Sequence, residues 1–206
     1  LLVDGDKVCL EDGSAIWGKT VLEAHDAITG KYGEKNISVL QCGPAGENRV
    51  RFACLMGDFN DAAGRGGMGA VFGSKNLRAV VVRGKTNTVE FSDPDGIKAL
   101  AKKAAQNLPG SGFPEILKKL GTPGVLGPQA EGGNLATHNF SRSWHEDYLN
   151  LHGGSYEEEL SAGATTCFGC ILSCRKKVKA DGPWPVTDRL GGPEFETLGL
   201  LGSNLD

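Results

Sequence analysis

Apolar and polar positions alternate from Leu1 to Leu10 around Asp4-Gly5, a pattern that predicts a short hairpin. After Trp17-Gly18-Lys19-Thr20, the apolar residues Val21, Leu22, Ala24, Ala27 and Ile28 recur at helical spacing, and Gly30 and Gly33 are expected to end that helix. Ile37 to Gln41 predicts a strand stopped by Gly43-Pro44-Ala45-Gly46, and Val50 to Met56 alternates well enough for a second strand. Ala63 to Gly69 predicts a glycine-rich turn opening a short helix, and Ala79 to Val82 a buried strand with Arg83 at its end. Residues 37–84 therefore read as a strand–loop–short helix–strand unit.

The pattern changes after Gly84. Ser92-Asp93-Pro94-Asp95 is a helix start with proline in the first turn, followed by an apolar stripe from Ile97 to Asn107. A second short helix fits Pro114 to Leu120. Residues 121–155 are rich in glycine, proline and asparagine, and are too long for an idle connector in a compact domain. A further helix, acidic and then apolar, is expected from near Pro193. The shift in character places a domain boundary near residue 90, giving domains over 1–90 and 91–206. The expected class is α+β, a β-rich first part followed by a mostly helical one.

Composition narrows the possibilities. The formal net charge is -3 with both signs interspersed, so neither a nucleic acid nor an anionic membrane is an expected partner. No apolar run reaches the length of a bilayer span, and Leu1-Leu2-Val3-Asp4 does not open a signal peptide. The lack of an initiator Met at Leu1 points to a true N-terminus upstream. Cys9, Cys42 and Cys54 lie in strand-like apolar contexts and read as buried thiols of a reduced, cytoplasmic protein. His25, His138, His145 and His152 form no ligand spacing with the cysteines and read as surface or loop residues. Glycine is abundant, 31 of 206 residues, and clusters as it does where backbone approaches a ligand or turns tightly.

Three stretches carry chemistry. Cys167, Cys170 and Cys174 have C-x2-C-x3-C spacing, which lets three soft thiolates reach one centre. A zinc ribbon would need a second paired-thiol knuckle, so the spacing favours an iron–sulfur cluster, although no fourth cysteine follows Cys174. The adjacent Arg175-Lys176-Lys177 would offset a cluster's negative charge, or would simply form a solvated turn. Glu194 and Glu196 would either satisfy a helix dipole or handle protons beside a metal. Gly64-Arg65-Gly66-Gly67-Met68-Gly69 fits G-x-G-x-x-G, but no buried strand precedes it, so an NADP-binding reading is weak against a tight turn with close helix packing.

These motifs converge on a resemblance. The stretch 62–79, from Ala62-Ala63-Gly64-Arg65-Gly66-Gly67-Met68-Gly69 to Asn76-Leu77-Arg78-Ala79, resembles a signature of the aldehyde:ferredoxin oxidoreductase family. Ile16-Trp17-Gly18-Lys19, Gly43-Pro44-Ala45-Gly46-Glu47-Asn48, the cysteine triad and Gly192-Pro193-Glu194-Phe195-Glu196 resemble it too, in family order over nearly the whole chain. Members of that family are tungsten, sometimes molybdenum, enzymes with two pterin dithiolenes and a [4Fe–4S] cluster.

The resemblance implies an internal fragment of a polypeptide about three times as long, judged by the family's three-domain build. Residues 1–90 would be the second half of a β-rich, pterin-cradling N-terminal domain, and 91–206 would open a mostly helical domain. Cys167, Cys170 and Cys174 would be three of four cluster ligands. Ala63, Gly64, Arg65, Gly66 and Gly67 would approach a pterin or its phosphate. Glu196, with Glu194 as the fallback, would be the acid near tungsten. The implied reaction is oxidation of an aldehyde to a carboxylic acid in an anaerobe, with electrons leaving through the cluster. The implied partners are ferredoxin or another electron-transfer subunit and the rest of the parent polypeptide, and a homo-oligomer is allowed. Two alternatives stand beside it: a family member acting on an aromatic acyl-thioester, and a stand-alone iron–sulfur electron-transfer module.

Overall fold

The computed structural model describes residues 1–33, 35–58, 60–84 and 89–200. Phe59 of the segment before the glycine loop, and residues 85–88 and 201–206 of the two expected domains, lie outside them. The chain divides into two compact units, Leu1–Glu90 and Phe91–Asp206.

The first unit is built on a six-stranded sheet. In chain order its elements are β1 (Leu2–Asp4), β2 (Lys7–Cys9), α1 (Val21–Tyr32), β3 (Ile37–Cys42), α2 (Pro44–Glu47), β4 (Leu55–Gly57), β5 (Asp61–Ala63), α3 (Met68–Ser74) and β6 (Ala79–Arg83). The strand order is β2-β1-β6-β3-β4-β5. The β1–β6 pair is parallel and the others are antiparallel. The expected hairpin forms, with Leu2 opposite Cys9.

Helix α1 begins at a capping box, in which Thr20 and Glu23 satisfy each other's backbone N–H groups. Its Ile28 is buried with Leu2, Val39, Ala79 and Val81, so the helical stripe read from sequence closes the core. The helix runs through Gly30 and ends at Gly33, whose N–H donates to Thr29 O at 2.7 Å.

Three expectations are corrected here. Of the stretch 50–56 only Leu55 and Met56 are in a strand, β4, because Ala53 N–H donates back to Val50 O at 2.9 Å and closes a turn. Cys9 is exposed on edge strand β2, whereas Cys42 is buried and Cys54 half-buried. His25 is a helix residue with its side chain only 13% exposed, 3.9 Å from Asp58.

The second unit is mostly helical. It contains α4 (Pro94–Asn107), α5 (Phe113–Leu120), α6 (Leu126–Glu131), α7 (Gly153–Glu159), the antiparallel ribbon β7 (Ser161–Thr165) and β8 (Arg175–Val178), and α8 (Phe195–Gly199). The glycine-rich stretch 121–155 is not a loop throughout, since it holds α6, two 3-10 turns and the start of α7. Leu126, Ala130 and Leu135 form the buried centre, with Tyr148, Leu151, Phe195 and Leu198 packed around it. Arg175-Lys176-Lys177 is not a solvated turn: it lies in β8, with Lys176 buried. No helix among the described residues is long and apolar enough to cross a membrane.

Helix α3 packs backbone to backbone on α2, where a Cβ on Gly73 would lie 1.8 Å from Gly46 O. A Cβ on Gly30 of α1 would meet nothing within 4 Å. Gly73→Ala should therefore destabilise the chain by about 1–3 kcal/mol through overpacking. Gly30→Ala should stabilise it by up to about 1 kcal/mol through helix propensity. Urea denaturation of both variants checks the opposite signs.

Candidate functional site

Two candidate regions stand in separate units. In the first unit, edge strand β5 delivers Ala63 to the glycine loop, and α3 starts at Gly67. The glycines divide into two groups. Gly67 has φ +66 and a Cβ there would lie 2.1 Å from Arg51 O; a Cβ on Gly69 would lie 2.4 Å from Cys54 O. These two serve close backbone packing. Gly64 and Gly66 have no neighbour within 4 Å of a built Cβ, and Ala63, Gly64, Arg65 and Gly66 are all exposed. Gly66 needs its glycine for φ +83, whereas nothing inside the unit asks for one at Gly64. A bare backbone at an open surface is what a cradle for a flat cofactor or its phosphate requires, so these residues fit a pterin in kind.

No dinucleotide unit forms around this loop. β5 is a three-residue edge strand paired antiparallel with β4, and β6 is not its neighbour. A cavity of about 800 Å³ in the unit lies elsewhere, between α1, β6 and the segment 10–17. None of Ala63 to Gly67 lines it.

A buried ion pair behind the loop was not foreseen from the sequence. Arg78 Nε lies 2.6 Å from Glu47 Oε1, with the side chains 2% and 5% exposed. Gly18 N–H donates to both Glu47 oxygens at 3.0 and 2.9 Å. Arg78 also donates to Gln41 Oε1 at 3.1 Å and Lys19 O at 2.9 Å, and Gln41 Nε2 donates to Val21 O at 3.0 Å. The available signal was a charged residue opening a buried strand, in Leu77-Arg78-Ala79-Val80, with an unmatched acid in Gly46-Glu47-Asn48.

In the second unit all three cysteines of the triad fall in the loop 166–174 that joins β7 to β8. Cys170 N–H donates to Cys167 O at 3.0 Å, and Thr166 Oγ1 donates to Cys170 O at 2.7 Å. Lys118 of α5 ties the loop down through a 3.1 Å bond to Ile171 O. Cys167 and Cys170 are exposed and Cys174 is half-buried. Burial first, then the charge of Glu194, pushes the Cys174 thiol above its ordinary pKa, and the other two thiols add to this. Among the described residues no three His, Cys, Asp or Glu side chains are arranged to hold a metal ion. The loop thus presents soft donors of the right kind for an iron–sulfur cluster without a closed ligand sphere.

The two acids separate. Glu194 stands at the N-cap position of α8 but turns its carboxylate to Thr122 Oγ1, from which it accepts a hydrogen bond, whereas Glu196, in the first turn, is exposed. Gly192 donates its N–H to Lys176 O at 2.7 Å and leaves room for Tyr156, whose Oη would lie 1.9 Å from a Cβ there. Lys176 Nζ is buried against Lys118 O at 3.1 Å and Glu157 Oε2 at 3.7 Å. Of the histidines, His138 and His145 lie with ring centroids 5.7 Å apart and planes tilted by 30°, and His152 caps α7.

The family model for the aldehyde ferredoxin oxidoreductase N-terminal domain matches residues 1–84, and the model for its domains 2 and 3 matches residues 99–206. A tungsten-containing aldehyde ferredoxin oxidoreductase of Pyrococcus abyssi is 34% identical over all of this chain and 33% of its own length. An aliphatic sulfonate oxidoreductase, WOR-like subunit, of Pyrococcus furiosus is 30% identical over all of this chain and 34% of its own. Among solved structures, a chain of the active-site complex BamBC of benzoyl coenzyme A reductase with 1,5-dienoyl-CoA matches with a TM-score of 0.71 and 25% identity. It covers 89% of this chain and 30% of that one. The chain spans about a third of the length of the curated relatives it matches.

Burial, with Glu194 and then Glu157, pushes the Tyr156 phenol up from 10.0 to about 12. The folded state therefore keeps a proton that the unfolded chain gives up above pH 10. The stability this contributes is complete below pH 10 and is lost as pH rises towards 12. One of the three tyrosines should ionise late in an ultraviolet titration, and Tyr156→Phe should remove that late phase.

Proposed function

The chain belongs to the aldehyde ferredoxin oxidoreductase family, and from that premise we propose that it is part of a tungsten or molybdenum pterin enzyme that oxidises aldehydes to carboxylic acids. The observation that carries the reading is the agreement of two independent regions with one family. The first unit has an exposed glycine loop matched to the N-terminal domain, and the second has three thiols on one loop matched to the following domain.

When bound, a metal bis-pterin would supply a two-electron acceptor and a [4Fe–4S] cluster a one-electron carrier. The chain's own residues have simpler tasks. The backbone of Ala63 to Gly67 would bind the pterin edge, where Gly64 leaves the surface bare. The Cys167, Cys170 and Cys174 thiolates would hold one side of the cluster, with the fourth ligand supplied from outside the described residues. The Glu196 carboxylate, exposed on the first turn of α8, would take the proton from water attacking the aldehyde carbon. The balance is one aldehyde and one water giving one carboxylic acid, two protons and two electrons, the electrons going to ferredoxin or a comparable carrier. We place this protein in the cytoplasm of an anaerobe, as low-potential chemistry requires.

A second reading, reduction of an aromatic acyl-thioester, is favoured by the fold match to the benzoyl coenzyme A reductase chain.

The full-length polypeptide, purified without oxygen, should contain about four irons and about one tungsten or molybdenum per chain. It should reduce a viologen dye when given short aliphatic or aromatic aldehydes. Oxidation of a dienoyl-CoA with no response to any aldehyde would decide for the second reading. Iron with neither tungsten nor molybdenum, and no turnover of either class, would leave only an electron-transfer module.

A further inference from the structure

We propose that Glu194 is a fixed anion beside the cysteine loop and that Thr122 positions it, so that together they set how readily a cluster held by Cys167, Cys170 and Cys174 takes up an electron. This rests on the iron–sulfur reading of the loop and assigns it two further residues.

Glu194 is held from two directions. Thr122 Oγ1 donates to its carboxylate, and the same oxygen accepts the Phe195 N–H at 3.0 Å, so one hydroxyl fixes both the acid and the start of α8. Thr122 in turn follows Gly121, where a Cβ would lie 2.6 Å from Cys174 O. On the other side, Gly192, two residues before Glu194, donates to Lys176 O at 2.7 Å, two residues after Cys174. Both connections bring the segment that carries the acid against the backbone of Cys174 and Lys176.

The surroundings keep the charge effective. Tyr156 is 4% exposed, lies against Gly192, and its Oη is buried without a hydrogen-bond partner among the described residues. Lys176, the buried cation of β8, is engaged by Lys118 O and Glu157. A carboxylate in such a setting acts over a lower effective dielectric than one in water. A nearby negative charge opposes adding an electron to a cluster and lowers its potential. Glu196, exposed and one helical step further on, has no such hold. The two acids of Gly192-Pro193-Glu194-Phe195-Glu196 would then divide the work, the first tuning electron transfer and the second left for the reacting molecule.

The test is a redox titration of the full-length, cluster-loaded polypeptide, followed by electron paramagnetic resonance of the reduced cluster, with iron content measured first. Glu194→Gln should favour the reduced cluster by about tenfold, a rise of about 59 mV for one electron. Thr122→Val should shift the potential the same way by less, and Thr122→Ser, which keeps the hydroxyl, should restore the wild-type value. These shifts would not follow from a purely structural role. Wild-type potentials in both Glu194→Gln and Thr122→Val, with iron retained, would overturn the proposal. Should Glu194→Gln fail to fold, the Thr122→Val and Thr122→Ser pair decides alone. A wild-type polypeptide without iron would instead overturn the iron–sulfur reading itself.

Discussion

The first unit depends on one buried ion pair. Taking Arg78 and Glu47 out of water costs several kcal/mol per charge, and attraction between them repays this only when the remaining donors and acceptors are met. Here the Gly18 amide completes Glu47, while Gln41 and Lys19 O complete Arg78. The pair joins the start of β6, the end of α2, the interior of β3 and the segment leading into α1. The glycines then follow from it: once α2 is fixed over β3, α3 can approach only where Gly73 and Gly69 bring no side chain. The exposed glycine loop is presented by this frame.

The second unit solves a different problem. The loop that carries the three thiols is exposed over Thr166 to Cys170 and half-buried over Ile171 to Cys174, and Phe168 within it is 98% exposed. The loop is carried on a short ribbon, whose strand β7, Ser-Ala-Gly-Ala-Thr, has no large apolar side chain. The ribbon is fixed by polar ties: Lys118 to Ile171 O, Lys176 to Lys118 O, and Gly192 to Lys176 O. The local core of Leu126, Ala130 and Leu135 lies with α6 and α8. The three thiols are thus gathered on one loop, with no three metal-binding side chains arranged around an ion among the described residues.

Much of the fold was legible where a signal was local. The opening hairpin, α1, β3, β6, α4 and α5 all follow from alternation, helical spacing or a proline-bearing helix start within a few residues. The failures have both local and non-local causes. Val50 to Met56 alternates, yet a turn at Val50–Ala53 competes with pairing and wins over most of it. β7, α6 and α7 lack strong periodicity and exist because distant segments pack on them, a non-local contribution that overrides propensity. Cys9 has a strand-like context but falls on an edge strand, and nothing in its neighbours distinguishes an edge from a centre.

For the candidate sites, the sequence by itself determined the chemistry available: three soft thiols at C-x2-C-x3-C spacing, a glycine-dense loop, and two acids in a proline-bounded motif. These are properties of residue type and spacing, and folding does not change them. Only the tertiary structure decided which glycines serve packing and which leave open surface, because that depends on whether Arg51 O or Cys54 O stands opposite. It also decided that Glu194 turns to Thr122 while Glu196 stays exposed. The partner that selects between them lies 72 residues away along the chain, beyond any local pattern.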